Sequence, residues 1–410
     1  MPVISIFSGT HCSGEAVVRE LLSRLSFQLI QDADIVSAAA ELSGIAEEKV
    51  AKAFEARTSV FNNFTHEKER SIALLKLALA ERMASDNLLV TGFVSHLIPH
   101  RIQHVLRVCL IADHPVRLEK AMSASGLSKS EATRLLNRQD EDALNWVSQL
   151  RGNRDPWDVG LYDIVAPMGK LTPEQAADLI QENVTKSAVQ ATDASRRAVE
   201  DFRLAARTET ELSRQGHNVE VDARNGEIVL TINKNVLMLG RLEKELTGIA
   251  SKVPGVERVT TQVGKQFHQA DIYRQYDFQA PSKVLLVDDE REFVQTLSER
   301  LMMRDFGSAV AYDGESALTM VDEDEPEVMI LDLKMPGIDG IEVLKRVKQT
   351  QPQIEVIILT GHGSEADRET CMGLGAFAYL SKPVDIEELS DTIRRANAAI
   401  QERKRGKVHP

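Results

Sequence analysis

Cysteine is scarce in this chain. Cys12, Cys109 and Cys371 are the three in 410 residues, with no CxxC pair and no metal-ligand spacing. That excludes a disulfide scaffold and a thiolate metal centre, and an odd, scattered set of thiols fits a reducing compartment. Long apolar runs are missing too: none approaches the ~18–20 residues a membrane-spanning helix needs. The opening MPVISIF carries no basic stretch before its apolar residues, so no signal peptide is read there and a cytoplasmic location is expected. Basic charge is in deficit, the formal net charge being −13. A general nucleic-acid or anionic-membrane surface needs a dense basic patch, and this balance argues against one. Internal repeats and low-complexity tracts are also lacking.

What is present is globular material, 43% hydrophobic and 27% charged. Single cores stop growing near about 250–300 residues, so several domains are expected. Residues 3–7 (VISIF) form a short apolar run, followed by a glycine-bearing loop and a helical pattern from Gly14 to Leu25. Helical patterns over 34–57 and 64–84 precede strand-like runs at 88–92 and 105–111, then helices at 115–123, 128–150 and 173–184. Short apolar strands alternating with helices predict a parallel sheet covered on both faces. Between Val184 and Arg214 a polar helix carries a thin apolar stripe (Ala188, Ala191, Ala198, Phe202, Ala205), as a connecting helix would. Next, HNVEVDARNGEIVLTINK alternates on both sides of Asn225-Gly226, the strongest short hairpin signal. A helix at 236–252 and a strand at Gly255–Val259 complete an αββαβ module. This module is similar to the BON family, whose pattern includes an Asn-Gly strand, a helix and a Pro-Gly-Val-x-x-Val strand; a structural or docking role is expected. The expected domains are 1–183, 184–265, a linker at 266–281 ending in Pro281, 282–402, and a basic tail at 403–410.

The last domain places its polar residues in register. Lys283–Val287 is an apolar strand ending in Asp288-Asp289-Glu290, and Val328–Leu331 ends in Asp332. Val356–Leu359 ends in Thr360, and Ala376–Leu380 ends in Ser381-Lys382-Pro383. All lie just past the carboxyl end of a strand, the edge where open α/β sheets bind ligands. Carboxylates at 288, 289 and 332 would repel one another without a cation, and an all-oxygen set suits Mg²⁺. A metal that neutralises an incoming phosphoryl group leaves one carboxylate free as nucleophile, while a hydroxyl and an ammonium hold the phosphoryl oxygens. On the strength of VDDE at 287–290, LDLKMPGIDG at 331–340, LTGHG at 359–363 and LSKP at 380–383, residues 283–400 resemble a two-component receiver domain. The resemblance implies a doubly wound (βα)5 fold and Asp332 as phospho-acceptor. It also implies Mg²⁺ on Asp288, Asp289, Asp332 and the Lys334 carbonyl, with Thr360 and Lys382 at the phosphate and Tyr379 as the aromatic switch.

The loop Gly9-Thr10-His11-Cys12-Ser13-Gly14 has the glycine spacing of a phosphate-binding P-loop, but Glu15 and Ala16 stand where Lys and Ser/Thr belong. Gly9, Ser13 and Gly14 preserve a candidate backbone nest for phosphate. Glu15 places a negative charge beside it, and Ala16 cannot bind a metal. Residues 1–182 resemble the cytidylate-kinase-like family of nucleoside-monophosphate kinases. The stretches that carry this are ISIFSGTHCSGEAVVRELLSRL with Asp32, LLVTGFVSHLIP, VLRVCLIADHPVRLEKAM, the helix with Arg138-Gln139-Asp140, and DVGLYDIVAP. The resemblance implies Asp32 and arginines such as Arg117 and Arg138 at a monophosphate, with Arg151 and Arg154 in a mobile lid. Losing both loop functions removes the main contributors to phosphoryl transfer, so a catalytically degenerate domain is expected, with nucleotide binding left open.

Together these features predict an α/β multidomain response regulator. A histidine kinase or phosphotransfer protein would phosphorylate Asp332 and so control the N-terminal domain. The alternative is an active cytidylate kinase gated by the receiver. No helix-turn-helix follows the receiver. A homodimer stays open.

Overall fold

The computed structural model describes residues 2–233, 239–264, 283–302, 304, 306–361 and 363–406. It divides into two compact units, Met1–Thr58 with Lys68–Tyr273, and Ser59–Glu67 with Arg274–Pro410. In chain order the elements begin β1 (Val3–Ser8), α1 (Gly14–Arg24), β2 (Gln28–Ile30), α2 (Asp32–Ser43), α3 (Glu47–Ala51), α4 (Asn62–Thr65) and α5 (Glu67–Arg82). They continue as β3 (Leu88–Thr91), β4 (Val105–Ile111), α6 (His114–Ser125), α7 (Lys129–Arg151), β5 (Ile164–Pro167), α8 (Pro173–Val184) and α9 (Asp193–Arg214). A small sheet follows with β6 (Glu220–Arg224), β7 (Glu227–Ile232), α10 (Leu239–Ala250) and β8 (Arg258–Val263).

The first sheet of unit one runs β2-β3-β1-β4-β5, with every described pairing parallel. Its strands are short and apolar because helices cover both faces. The loop after β1 therefore opens at the carboxyl edge, where β1 lies between β3 and β4 and the connections diverge to either side. The helix expected over 34–57 is broken: α2 stops at Gly44, whose φ of 71° only glycine adopts without strain. β2 is a strand that the sequence pattern does not announce, since Gln28 and Leu29 lie on a largely uncovered edge.

The stretch expected as one long polar helix starts later, at α9, where Thr192 caps the backbone N–H of Ser195. Its apolar residues serve two cores. Ala198, Val199, Phe202 and Ala206 join the cluster beneath the first sheet, while Ala205 and Leu212 join the cluster of the small sheet. Ion pairs from Lys76 to Glu209 (2.8 Å) and from Arg207 to Glu81 (2.6 Å) flank the helix. In the small sheet β6 and β7 form the expected hairpin, with Asn225 at φ 48° and Gly226 at φ 84°, and β8 adds parallel to β7.

Unit two contains β9 (Val284–Val287), α11 (Arg291–Met302), β10 (Ser308–Ala311), α12 (Gly314–Glu323), β11 (Val328–Leu331), α13 (Gly340–Thr350), β12 (Glu355–Thr360), α14 (Glu365–Gly373), β13 (Ala378–Ser381) and α15 (Ile386–Gly406). Its sheet runs β10-β9-β11-β12-β13, all parallel, with β9 and β11 fully buried. β10 (SAVA) went unread in the sequence because it is short and weakly apolar. The linker expected at 266–281 lies outside the described residues. α15 runs as far as Gly406, with Arg403 paired to Glu355.

Phe202 is 4% exposed. Phe202→Ala is expected to destabilise unit one by about 3–5 kcal/mol, the usual range for emptying a buried phenylalanine site. Denaturant unfolding checks this, and a loss below about 1 kcal/mol would show that α9 is not docked through this side chain.

Candidate functional site

At the carboxyl edge of the second sheet, β9 delivers Asp288 and Asp289, and its neighbour β11 delivers Asp332. Each of the three offers a carboxylate oxygen within 4.8 Å of the others. Asp288 is 4% and Asp332 6% exposed. The backbone aims both. Glu290 N donates to Asp288 Oδ1 (2.9 Å), and Leu333 N donates to Asp332 Oδ1 (2.7 Å). Lys382, just past β13, places Nζ 2.6 Å from Asp288, 3.1 Å from Asp332 and 3.2 Å from Glu290, above the Phe293 ring. Burial pushes the Asp288 carboxyl up from its ordinary range, against the pull of Lys382. Burial alone would lower Lys382, but Asp288 and Asp332 outweigh it and hold its ammonium up.

One ammonium does not balance three converging carboxylates, and the remaining negative charge suits a divalent cation. The donor set is all oxygen, as Mg²⁺ prefers, so the residues present fit that ion. Thr360 ends β12 at 2% exposure, and its carbonyl accepts from Lys382 N (2.9 Å), which ties the hydroxyl-bearing strand to the lysine strand. Tyr379 lies inward: its hydroxyl is covered and without a partner among the described residues. A Cβ on Gly363 would stand 1.6 Å from that hydroxyl, so this position needs glycine while the ring is inward. Gly340 is equally constrained. A Cβ there would fall 2.2 Å from the Asp332 carbonyl, so the loop carrying Asp332 packs directly on bare backbone.

A family model described as the response regulator receiver domain matches residues 284–394. Over 113 residues the chain is 36% identical to sporulation initiation phosphotransferase F of Bacillus subtilis, a stretch covering 28% of this chain and 91% of that protein. The chain belongs to the response regulator receiver family. It is 47% identical over 113 residues to the transcriptional regulatory protein CpxR of Escherichia coli, covering 28% of this chain and 48% of CpxR. The chain thus spans about half the length of that relative. A second family model, the cytidylate kinase-like family, matches residues 3–170. No helix among the described residues is long and apolar enough to cross a membrane.

Outside the receiver, the loop after β1 borders a cavity of about 1200 Å³ lined by Gly9, Ser13, Gly14, Glu15, Ala16 and Lys120, among others. His11 (φ 60°) and Ser13 (φ 62°) take left-handed backbone here. Lys120 was not anticipated from the sequence. From α6 it donates Nζ to Ser13 Oγ (2.9 Å), bringing to the loop the positive charge that Glu15 does not supply. The readable signal was its place three residues after Arg117 on the helix following β4. Arg117 reaches the loop as well, donating Nε to the Thr10 carbonyl (2.9 Å) while its other nitrogens grip Asp140.

Arg138 is exposed on α7 and is not among the residues lining this cavity, while Leu136 and Ala143 of the same helix are buried. Arg151 is not free for a lid, since its guanidinium donates to the His96 and Ile98 carbonyls. Cys12 is buried, and burial pushes its thiol up. Asp32 is turned to backbone, accepting from Phe93 N (3.0 Å) and Val94 N (2.9 Å), close against Gly92.

Burial lifts the Asp32 carboxyl from 3.8 to about 6, although both N–H groups pull it down. The folded chain thus holds this proton more tightly than the unfolded one. Its contribution favours folding below about pH 4 and is lost as pH rises through about 6. The unfolding free-energy difference between wild type and Asp32→Asn is expected to change across that window; a constant difference would refute the assignment.

Proposed function

We propose that this response regulator accepts a phosphoryl group on Asp332 from the phosphohistidine of a sensor kinase or phosphotransfer protein. It thereby controls a nucleotide-binding N-terminal domain. The observation that carries the reading is the burial of Asp332 between Asp288, Asp289 and the Lys382 ammonium at one sheet edge. A carboxylate oxygen of Asp332 attacks phosphorus, the nitrogen–phosphorus bond breaks, and the imidazole leaves with the bonding pair. Lys382 meets the oxygens of the arriving group, and the Thr360 hydroxyl takes another. Asp288 and Asp289, with Asp332 and the Lys334 carbonyl, would hold Mg²⁺, which when bound neutralises charge on the phosphoryl oxygens. Movement of the Thr360 hydroxyl toward the phosphate changes what the inward Tyr379 ring packs against, remodelling the surface around β13.

For the N-terminal domain, binding without turnover is the reading that Lys120 supports. A lysine arriving from α6 can hold a nucleotide phosphate against the Gly9–Gly14 loop, while Ala16 still offers no metal ligand. Glu15 lies on the exposed side of the first turn of α1, where its charge is screened by water.

Asp332→Asn is expected to abolish labelling by acetyl phosphate, and undiminished labelling would sink the receiver assignment. In the other half, calorimetric titration with ATP is expected to show binding that Lys120→Ala weakens by at least about tenfold, as loss of a charged hydrogen bond implies. Equal affinity in the variant would remove Lys120 from the site. ADP production with CMP would favour an active kinase instead.

A further inference from the structure

Residues 59–67 fall within the stretch matched by the cytidylate kinase-like family, yet they belong to the second compact unit. Phe61 is 0% exposed and lies in the same apolar cluster as Leu285, Val287, Ala317, Val321 and Met329. The Lys283 ammonium stands 5.9 Å from the centre of its ring. Lys283 is itself 8% exposed, a costly place for an isolated charge. It is paired with Glu67 (2.7 Å) and with Asp324 at the end of α12 (2.9 Å). Burial would lower the Lys283 ammonium, but Glu67 and Asp324 overcome that and raise it. Ser59 Oγ donates to the same Asp324, and Ser59 in turn accepts from Phe61 N (3.1 Å).

An apolar anchor, a buried ion pair and a hydroxyl contact therefore converge on the amino ends of β9 and β11. Those ends are joined there by Val328 N donating to the Lys283 carbonyl (3.2 Å). This is the end of the sheet opposite Asp288 and Asp332.

We infer that residues 59–67 are an integral piece of the receiver in this chain, closing its core through Phe61 and Glu67. The two matched families are interlaced in sequence rather than strung one after the other. The chain enters the receiver unit at Ser59 and leaves it after Glu67, so the receiver is tied covalently to the preceding and following stretches of unit one at both points. The inference stands on packing and charge pairing, not on the chemistry proposed for Asp332.

Hydrogen exchange on the full-length chain tests it. In the wild type the amides of Thr65 and His66, which donate to the Phe61 and Asn62 carbonyls, should be protected together with β9. Phe61→Ala should speed exchange in β9 and α12 by at least about tenfold, given the usual cost of emptying a buried aromatic site, while β1 and β4 keep their protection. Glu67→Gln, which preserves size and leaves Asp324 on Lys283, should produce a smaller change in the same segments and serves if the first variant fails to fold. Free exchange at Thr65 and His66, or unchanged protection of β9 in both variants, would overturn the inference.

Discussion

The constraint on which the receiver depends is electrostatic. Three carboxylates are brought to one edge of a sheet, two of them nearly out of water, and a single lysine reaches in among them. A parallel sheet makes this arrangement available, since consecutive strands deliver their carboxyl ends to the same side. It also makes the arrangement unstable unless neighbouring backbone holds it. The N–H donations to Asp288 and Asp332, and the bare approach of Gly340 to the Asp332 carbonyl, do that holding. The site is a place where negative charge has been concentrated, with an all-oxygen donor set that fits a divalent cation.

The loop after β1 presents the converse problem. Its own sequence puts the wrong charge beside a backbone nest, and the fold brings a lysine from another helix to the same hydroxyl. Charge at a loop of this kind is a property of everything that lines the cavity, not of the motif alone. Asp32 and Arg151 make the same point from the other direction. Both residue types suit a ligand, yet the Asp32 carboxylate accepts from backbone N–H groups and one Arg151 guanidinium nitrogen donates to backbone carbonyls.

Much of this was legible in the residues themselves. The buried strands of the receiver ended where their polar residues began, because apolar runs and strand-end aspartates are local signals. The Asn225-Gly226 hairpin was legible for the same reason, its turn demanding positive φ at both positions. What escaped depended on neighbours far away in sequence. β2 and β10 are short strands completed by pairing; Lys120 and the glycine at 363 matter through what lies across from them. The break of α2 at Gly44 was visible as a glycine, but the alanine run at 38–40 and the helical pattern that resumes after it masked it. That Arg138 is exposed on α7 was not legible either, since spacing on a helix does not reveal which face turns inward.

The helix α9 carries a last consequence. It contributes side chains to the core under the first sheet and to the core of the small sheet. The strip that reads in sequence as a connector is therefore a shared wall. Cutting the gene near residue 184 to express either part would leave one piece with an open apolar face and the other with a helix lacking half its cover. Recombination that exchanges these modules would meet the same obstacle, so the two are expected to be inherited as one piece.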